Sequence, residues 1–217
     1  LPGQGSYYNP DFIEKGRTYR QTGYATTIIT DKAIDWLQQR DTARPFCLLV
    51  HHKAPHRNWM PDTIDFGLFD GADFPVPPNY FDNYDGRQAA ALQEMSVIKD
   101  MRLSSDLKIT GADGDSLSQP EKDYLWYLDH RMTPEQKKAW LREYDSISKA
   151  FLASRPEGDS LAIYKLNRYL TDYLRTIESV DRNTGRLLDY LESSGLMKNT
   201  LFVYTSDQGF YLGEHGW

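Results

Sequence analysis

The chain has 217 residues, a formal net charge of −6, 40% hydrophobic, 13% aromatic and 26% charged residues, and one cysteine. This composition excludes a disordered chain, an internal disulfide framework and a cysteine-rich metal site, and the acidic balance disfavours a nucleic-acid surface. No apolar run approaches the length of about 18 residues that a membrane-spanning helix needs, and the length suits one large domain.

The first half of the chain alternates one helix signal, one strand signal and a long loop. The pattern predicts a helix over residues 30–39 with Thr30 as its N-cap. Residues 46–50 form a short apolar run that is typical of a strand covered on both faces, with Cys47 as a small buried hydrophobe. Residues 60–87 are rich in proline and predict a long irregular connection, and such connections are often functional.

The middle of the chain predicts two helices around a loop. Packing residues at helical spacing indicate a helix over residues 88–103, and glycines and aspartates indicate an exposed excursion over 104–119. Thr133, Pro134 and Gln136 then form a capping-box signal, so a second helix should begin there, with its aromatic residues in the core.

The last quarter of the chain indicates the fold class. A long amphipathic helix is predicted over residues 166–193, with Gly195 placed to end it. Residues 201–205 follow as a second buried strand. A helix, a glycine and a buried strand in succession are half of a βαβ unit, which predicts an α/β fold with a mostly parallel sheet between helices.

Polar clusters follow both predicted strands, where ligands bind in open α/β sheets. The first strand leads into His51, His52, Lys53, His56 and Arg57. Imidazole and ammonium groups suit an anionic ligand, both as charge partners and as proton donors. A structural role for some of these histidines, as partners of the backbone, remains an alternative.

The second strand leads into Asp207, Gln208 and Gly209. Adjacent carboxylate and carboxamide oxygens are the ligands that hard cations such as Ca²⁺ prefer. An ordinary Asx turn at the end of the strand explains the same residues equally well.

The two clusters together resemble motifs of the type I sulfatases. His52-Lys53-Ala54-Pro55-His56 is similar to their mid-chain substrate motif, and residues 205–210 with 213–216 are similar to their second metal motif. The resemblance implies an alkaline-phosphatase-like fold, in which residues 1–217 are the central part of the catalytic domain and residues 60–165 a variable insertion. The opening residues 1–10 resemble bacterial enzymes that act on 6-sulfated N-acetylglucosamine of heparan-type glycans.

The resemblance also implies a mechanism and its residues. Family members attack sulfur with a formylglycine nucleophile while a Ca²⁺ ion polarises the sulfate. Asp207 and Gln208 occupy the positions of the second pair of metal ligands, and His56 that of a histidine that stabilises or protonates the leaving oxygen. Lys53 and His215 are candidates to add positive charge around the sulfate. The implied partner is a sulfated carbohydrate, with neither a nucleic acid nor a membrane span, and the implied location is outside the cytoplasm.

The nucleophile motif of the family, Cys/Ser-x-Pro-x-Arg, does not occur in the chain, and residues 118–122 approach it but end in lysine. We therefore expect the chain to be an internal piece of a sulfatase that is inactive by itself. Two alternatives stay open: a metal-dependent phosphatase or phosphodiesterase of the same superfamily, and a non-catalytic remnant that binds anionic glycans. The oligomeric state does not follow from the sequence.

Overall fold

A computed structural model describes residues 5–112 and 117–217 of the chain. Its longer elements are a hairpin of two antiparallel strands and five helices among these residues: β1 (Asp11–Glu14), β2 (Arg17–Arg20), α1 (Ala25–Gln39), α2 (Gln88–Ala91), α3 (Gln119–Arg131), α4 (Pro134–Ser154) and α5 (Gly158–Ser193). Short 3₁₀ turns cover Thr63–Asp65, Leu196–Asn199 and Glu214–Gly216. No helix in the described ranges is long and apolar enough to cross a membrane.

The chain forms two compact units. The first comprises Leu1–Asp65 and Arg175–Thr205, and the second comprises Phe66–Leu174 and Ser206–Trp217. Helix α5 contributes its first part to the second unit and its last part to the first unit.

In the first unit, α1 begins five residues earlier than predicted. Thr30 is buried inside the helix and does not cap it, so that prediction is wrong. The first helical amide, that of Ala25, donates instead to the carbonyl oxygen of Tyr7 at 2.7 Å. Residues 25–30 are mostly threonine and isoleucine, whose branched side chains lower helix propensity. The first turn of the helix therefore has no clear signal in the sequence.

The two apolar runs at residues 46–50 and 201–205 lie against the helices but are not hydrogen-bonded as strands within the described chain. Burial alternates along the first run, and Phe46, Leu48 and Val50 are the half-buried residues. These three side chains and Phe202 pack against a buried cluster from α1 and α5: Leu37, Leu187 and Leu191.

The opposite face of both runs is exposed. Cys47 is exposed, contrary to the prediction that it is buried, because it alternates with the packed residues. Leu49 is 76% exposed and Leu201 is 89% exposed. The first run therefore has the side-chain alternation of a strand, whereas in the second run only Phe202 is partly covered and Tyr204 is 70% exposed.

The second unit contains the helix with the predicted capping box. The Gln136 amide donates to the Thr133 hydroxyl at 3.2 Å, and the Thr133 amide donates to the Gln136 side chain at 2.8 Å. Helix α4 begins at Pro134 as predicted, and Trp140 and Tyr144 are buried. This start could be predicted because all of its determinants lie within four residues.

The predicted helix over residues 88–103 is wrong beyond its first turn, since α2 ends at Ala91. Side-chain oxygens accept hydrogen bonds from backbone amides that would donate to carbonyl oxygens in a helix. The Asp100 carboxylate accepts from the Ser96 amide at 2.8 Å, and the Ser96 hydroxyl accepts from the Ile98 amide at 3.1 Å. Serine and aspartate compete with helix formation in this way.

Ser104 and residues 106–109 are buried, which corrects this part of the predicted exposed excursion, whereas Gly111 and Leu117 are exposed as predicted; residues 113–116 of that excursion lie outside the described residues. Leu107, Lys108 and Ile109 have no exposed surface. The Lys108 ammonium lies 3.1 Å from the Asp172 carboxylate on α5, and that carboxylate also accepts from Arg168 at 2.9 Å. The Lys108 ammonium is therefore buried together with a charged partner that is distant in the sequence.

Candidate functional site

The loop over residues 51–61 is held in the first unit by three buried tyrosines. The hydroxyl of Tyr7 donates to the His56 carbonyl at 2.5 Å, that of Tyr8 donates to the Pro61 carbonyl at 2.5 Å, and that of Tyr24 donates to the Met60 carbonyl at 2.8 Å. The Ala54–Pro55 and Arg57–Asn58 peptide bonds in this loop are cis. Because the tyrosines bind main-chain oxygens, they fix the course of the loop through its backbone; the Nδ1 atom of His56 in turn contacts the carbonyl oxygen of Arg57.

His56 is exposed on this loop, and its amide donates to the Lys53 carbonyl at 2.9 Å, which closes a turn between the two residues. The Lys53 ammonium lies over the Tyr7 ring, 5.0 Å from the ring centroid. Burial lowers the pKa of Lys53. Burial also lowers the pKa of His52, with a smaller contribution from the neighbouring His51. The turn therefore presents a partly desolvated ammonium group beside an exposed imidazole.

Asp207 and Gln208 lie on an exposed bend in the second unit, next to the apolar run 201–205. The Gln208 amide donates to the Ser206 hydroxyl at 3.3 Å, which closes the bend and leaves the carboxylate and carboxamide groups exposed. Together they offer two or three oxygen ligands, whereas a hard cation such as Ca²⁺ takes six to eight. The described ranges contain no cluster of three or more His, Cys, Asp or Glu residues suited to a metal ion.

His215 lies on the 3₁₀ turn that follows this bend. Its Nδ1 atom lies 2.5 Å from a carboxylate oxygen of Asp82, and its Nε2 atom lies 3.2 Å from the side-chain nitrogen of Asn79. Asp82 also accepts from the Arg87 guanidinium at 2.6 Å. The hydrogen bond with His215 holds the pKa of Asp82 well below its usual range, and bonds from the Tyr84 amide and Arg87 add to that effect.

The structure thus places the predicted residues in two groups. Lys53 and His56 share one turn in the first unit, and Asp207, Gln208 and His215 share one segment of the second unit. No local sequence pattern indicates the residues that support them. Asp82 is separated from His215 by 133 positions, and Tyr7 from His56 by 49.

The family model for sulfatases, described simply as "Sulfatase", matches residues 2–216. The chain belongs to the sulfatase family. The family generally uses a divalent metal ion.

Among its relatives, this sulfatase chain is 45% identical over 215 residues to the N-acetylglucosamine-6-O-sulfatase of Bacteroides thetaiotaomicron, a match that covers 99% of the chain and 38% of the relative. It is 20% identical over 212 residues to the multifunctional alkaline phosphatase superfamily protein PehA of Trinickia caryophylli, covering 98% of the chain and 32% of that protein. The chain spans less than two fifths of the length of these curated relatives.

The solved structure of BT4656 in complex with its substrate D-glucosamine-2-N,6-O-disulfate superimposes on the chain with a TM-score of 0.89. The two are 44% identical, and the match covers 99% of this chain and 43% of that one. The fold class is therefore that of the α/β, alkaline-phosphatase-like sulfatases, of which this sulfatase chain forms a part.

Proposed function

We propose that this chain is part of a sulfuric ester hydrolase that removes the 6-O-sulfate from an N-acetylglucosamine residue of a glycosaminoglycan of the heparan type. The observation that carries the proposal is the 45% identity to an N-acetylglucosamine-6-O-sulfatase over 99% of the chain. The 44% identical protein BT4656 has D-glucosamine-2-N,6-O-disulfate as its substrate, which supports a sulfated amino sugar as the ligand.

His56 is the proposed acid–base residue. Its ring is exposed, and its carbonyl and amide groups are both hydrogen-bonded. The backbone that carries the imidazole is therefore fixed in position. In this role it stabilises or protonates the oxygen that leaves sulfur, which is the part a positioned imidazole performs in general acid catalysis. Lys53, three residues before it, and His215 are proposed to add positive charge around the sulfate.

Asp207 and Gln208 are proposed to hold a calcium ion by their side-chain oxygens. When bound, the ion polarises the sulfate as a Lewis acid. The two residues supply one negative charge and one neutral oxygen, and the exposed bend leaves both accessible. The nucleophile, a formylglycine in the family that the motifs resemble, has no matching motif among these 217 residues. The place of action that we propose is outside the cytoplasm, as for sulfatases in general.

A substrate panel tests the proposal on the longest natural form of the protein that contains these residues. We expect sulfate release from N-acetylglucosamine-6-sulfate that requires calcium, and none from the 217-residue chain by itself, because it has no nucleophile motif. Release of phosphate from phosphate esters in preference to sulfate would instead support the phosphatase alternative. The absence of any hydrolysis, with glycan binding retained, would support the non-catalytic alternative.

A further inference from the structure

A nearly buried carboxylate outside the proposed machinery contacts one of its residues. Asp82 is 9% exposed and lies in the irregular segment that precedes α2. One of its oxygens lies 2.5 Å from Nδ1 of His215, and the other accepts from the Tyr84 amide at 2.9 Å and from Arg87 at 2.6 Å. The charged groups that face the His215 ring from this segment are therefore Asp82 and Arg87.

The turn that carries His215 is fitted closely to the same segment. A Cβ atom at Gly216 would lie 2.8 Å from the Tyr80 carbonyl oxygen, so only glycine fits there without a shift of the backbone. The Gly216 carbonyl accepts from the Val97 amide at 2.8 Å. His215 itself has φ 58°, in the left-handed region, where a residue with a side chain is strained and the surrounding contacts must hold it.

Tyr84 makes the second link between the segment and the turn. Its hydroxyl donates to the His215 carbonyl and accepts from the indole nitrogen of Trp217, the latter at 2.9 Å. Tyr84 also has a left-handed backbone, with φ 60°. Tyr84 thus binds the carbonyl of His215 while Asp82 binds its ring, so contacts from one segment hold two residues with left-handed backbones.

We propose that Asp82 is a positioning residue for His215: it accepts the Nδ1 proton and, with the Asn79 side-chain nitrogen 3.2 Å from Nε2, fixes the orientation of the ring, while Tyr84 fixes the backbone beneath it. The proposal rests on the proposed function, in which His215 adds positive charge around the sulfate group. A partner that orients a histidine through its second nitrogen is a recurrent device in histidine-dependent sites. The inference assigns residues of the 60–87 segment to the support of the metal-motif turn.

Kinetics and imidazole NMR spectra of the longest natural form test this role. In Asp82→Ala we expect kcat/KM for N-acetylglucosamine-6-sulfate to fall by about ten- to a hundredfold, the usual effect of losing such a partner, and chiefly through KM. Asp82→Asn should recover part of the loss, because its carboxamide oxygen still accepts the Nδ1 proton. The wild-type spectrum should show a downfield imidazole N–H proton that is absent from both Asp82→Ala and His215→Ala.

Asp85→Asn is the matched control. Asp85 is an exposed carboxylate of the same segment that accepts a hydrogen bond from the Asn83 side chain at 2.7 Å. It should keep both the downfield proton and kcat/KM. An active wild-type protein whose Asp82→Ala variant keeps kcat/KM within twofold, or which lacks the downfield proton, overturns the positioning role alone. A wild-type protein that releases no sulfate overturns the proposed function.

Discussion

At the scale of single residues, the side chains proposed for the chemistry are exposed or partly exposed, and the side chains that position them are buried or nearly buried. The His56 ring is exposed, whereas the Tyr7 hydroxyl that supports its carbonyl is on a buried residue. Likewise, the His215 ring is partly exposed, whereas the Asp82 side chain beside it is 9% exposed. Replacing the exposed ring should therefore change chemistry with little change in stability, and replacing the support should change both.

Removal of the His56 ring should affect the kinetics and leave the fold intact. His56→Ala should lower kcat for the sulfated sugar by about 10²- to 10⁴-fold, the range for a lost acid–base group, with the melting temperature nearly unchanged. The matched control is His130→Ala, since His130 is an exposed histidine of α3 that stacks on Trp126. Equal kcat values for the two variants would remove His56 from the chemistry.

For Asp82 the lowered pKa gives a prediction of acid stability. Its pKa is lower in the folded protein than in the unfolded chain, so its contribution to stability is present above about pH 4 and is lost as the pH falls further. The melting temperature of Asp82→Asn should therefore lie below that of the wild type at about pH 6, and the difference should shrink toward about pH 3. For Asp85→Asn we expect no such pH dependence. A difference for Asp82→Asn that grows on acidification would contradict the assignment.

At the scale of elements, the buried Lys108–Asp172 pair links the 104–112 segment to α5. The segment has little regular structure, yet its central residues are fully buried. Tyr144 of α4 adds a hydrogen bond to the same carboxylate at 3.0 Å, so one aspartate joins three parts of the second unit. Burial lowers the pKa of Lys108, and the attraction of Asp172 opposes that effect.

Removing one partner of this buried pair should be costly. Lys108→Met should reduce the free energy of unfolding by about 3–5 kcal/mol, because the Asp172 carboxylate is left with less compensation in the interior. Chemical denaturation of the longest natural form measures the loss. Lys138→Met, at an exposed position of α4, is the control and should stay within about 0.5 kcal/mol. A similar small value for Lys108→Met would show that the pair contributes nothing.

The same elements show how far sequence reasoning reaches. The start of α4 was predicted correctly because the Thr133–Gln136 capping box is local, and the amphipathic face of α5 identified most of that helix, which begins earlier, at Gly158. The helix at residues 88–103 failed because Ser96 and Asp100 bind nearby amides, a competition that helical spacing does not reveal. The motif residues themselves were visible, but their supports depend on contacts between distant positions.

At the scale of the whole chain, the net charge of −6 does not predict the charge of the ligand. Positive groups gather at residues 51–57, although the total is acidic. The two apolar runs are the other feature of this scale, since Leu49, Leu201 and Val203 are 76%, 89% and 69% exposed. Extended segments with an uncovered apolar face readily associate with other chains.

This exposed apolar face predicts the behaviour of the 217-residue chain in isolation. It should self-associate at micromolar concentration, as measured by light scattering, and the double variant Leu49→Lys/Leu201→Lys should reduce the association. Ile64→Lys is the control, because Ile64 is 67% exposed but lies outside both runs. A strictly monomeric chain, or an equal effect of the control, would contradict this account of the face.

The most direct test of the central claim is a crystal structure of the longest natural form with calcium and a 6-sulfated glucosamine. We predict oxygen atoms of Asp207 and Gln208 at about 2.3–2.6 Å from the ion, the usual calcium–oxygen distance. The His56 ring should lie within hydrogen-bonding distance, about 2.6–3.2 Å, of the oxygen that links sulfate to the sugar. An ion bound without either of the two ligands, or a His56 ring directed away from the ester, would contradict the assignment of this site.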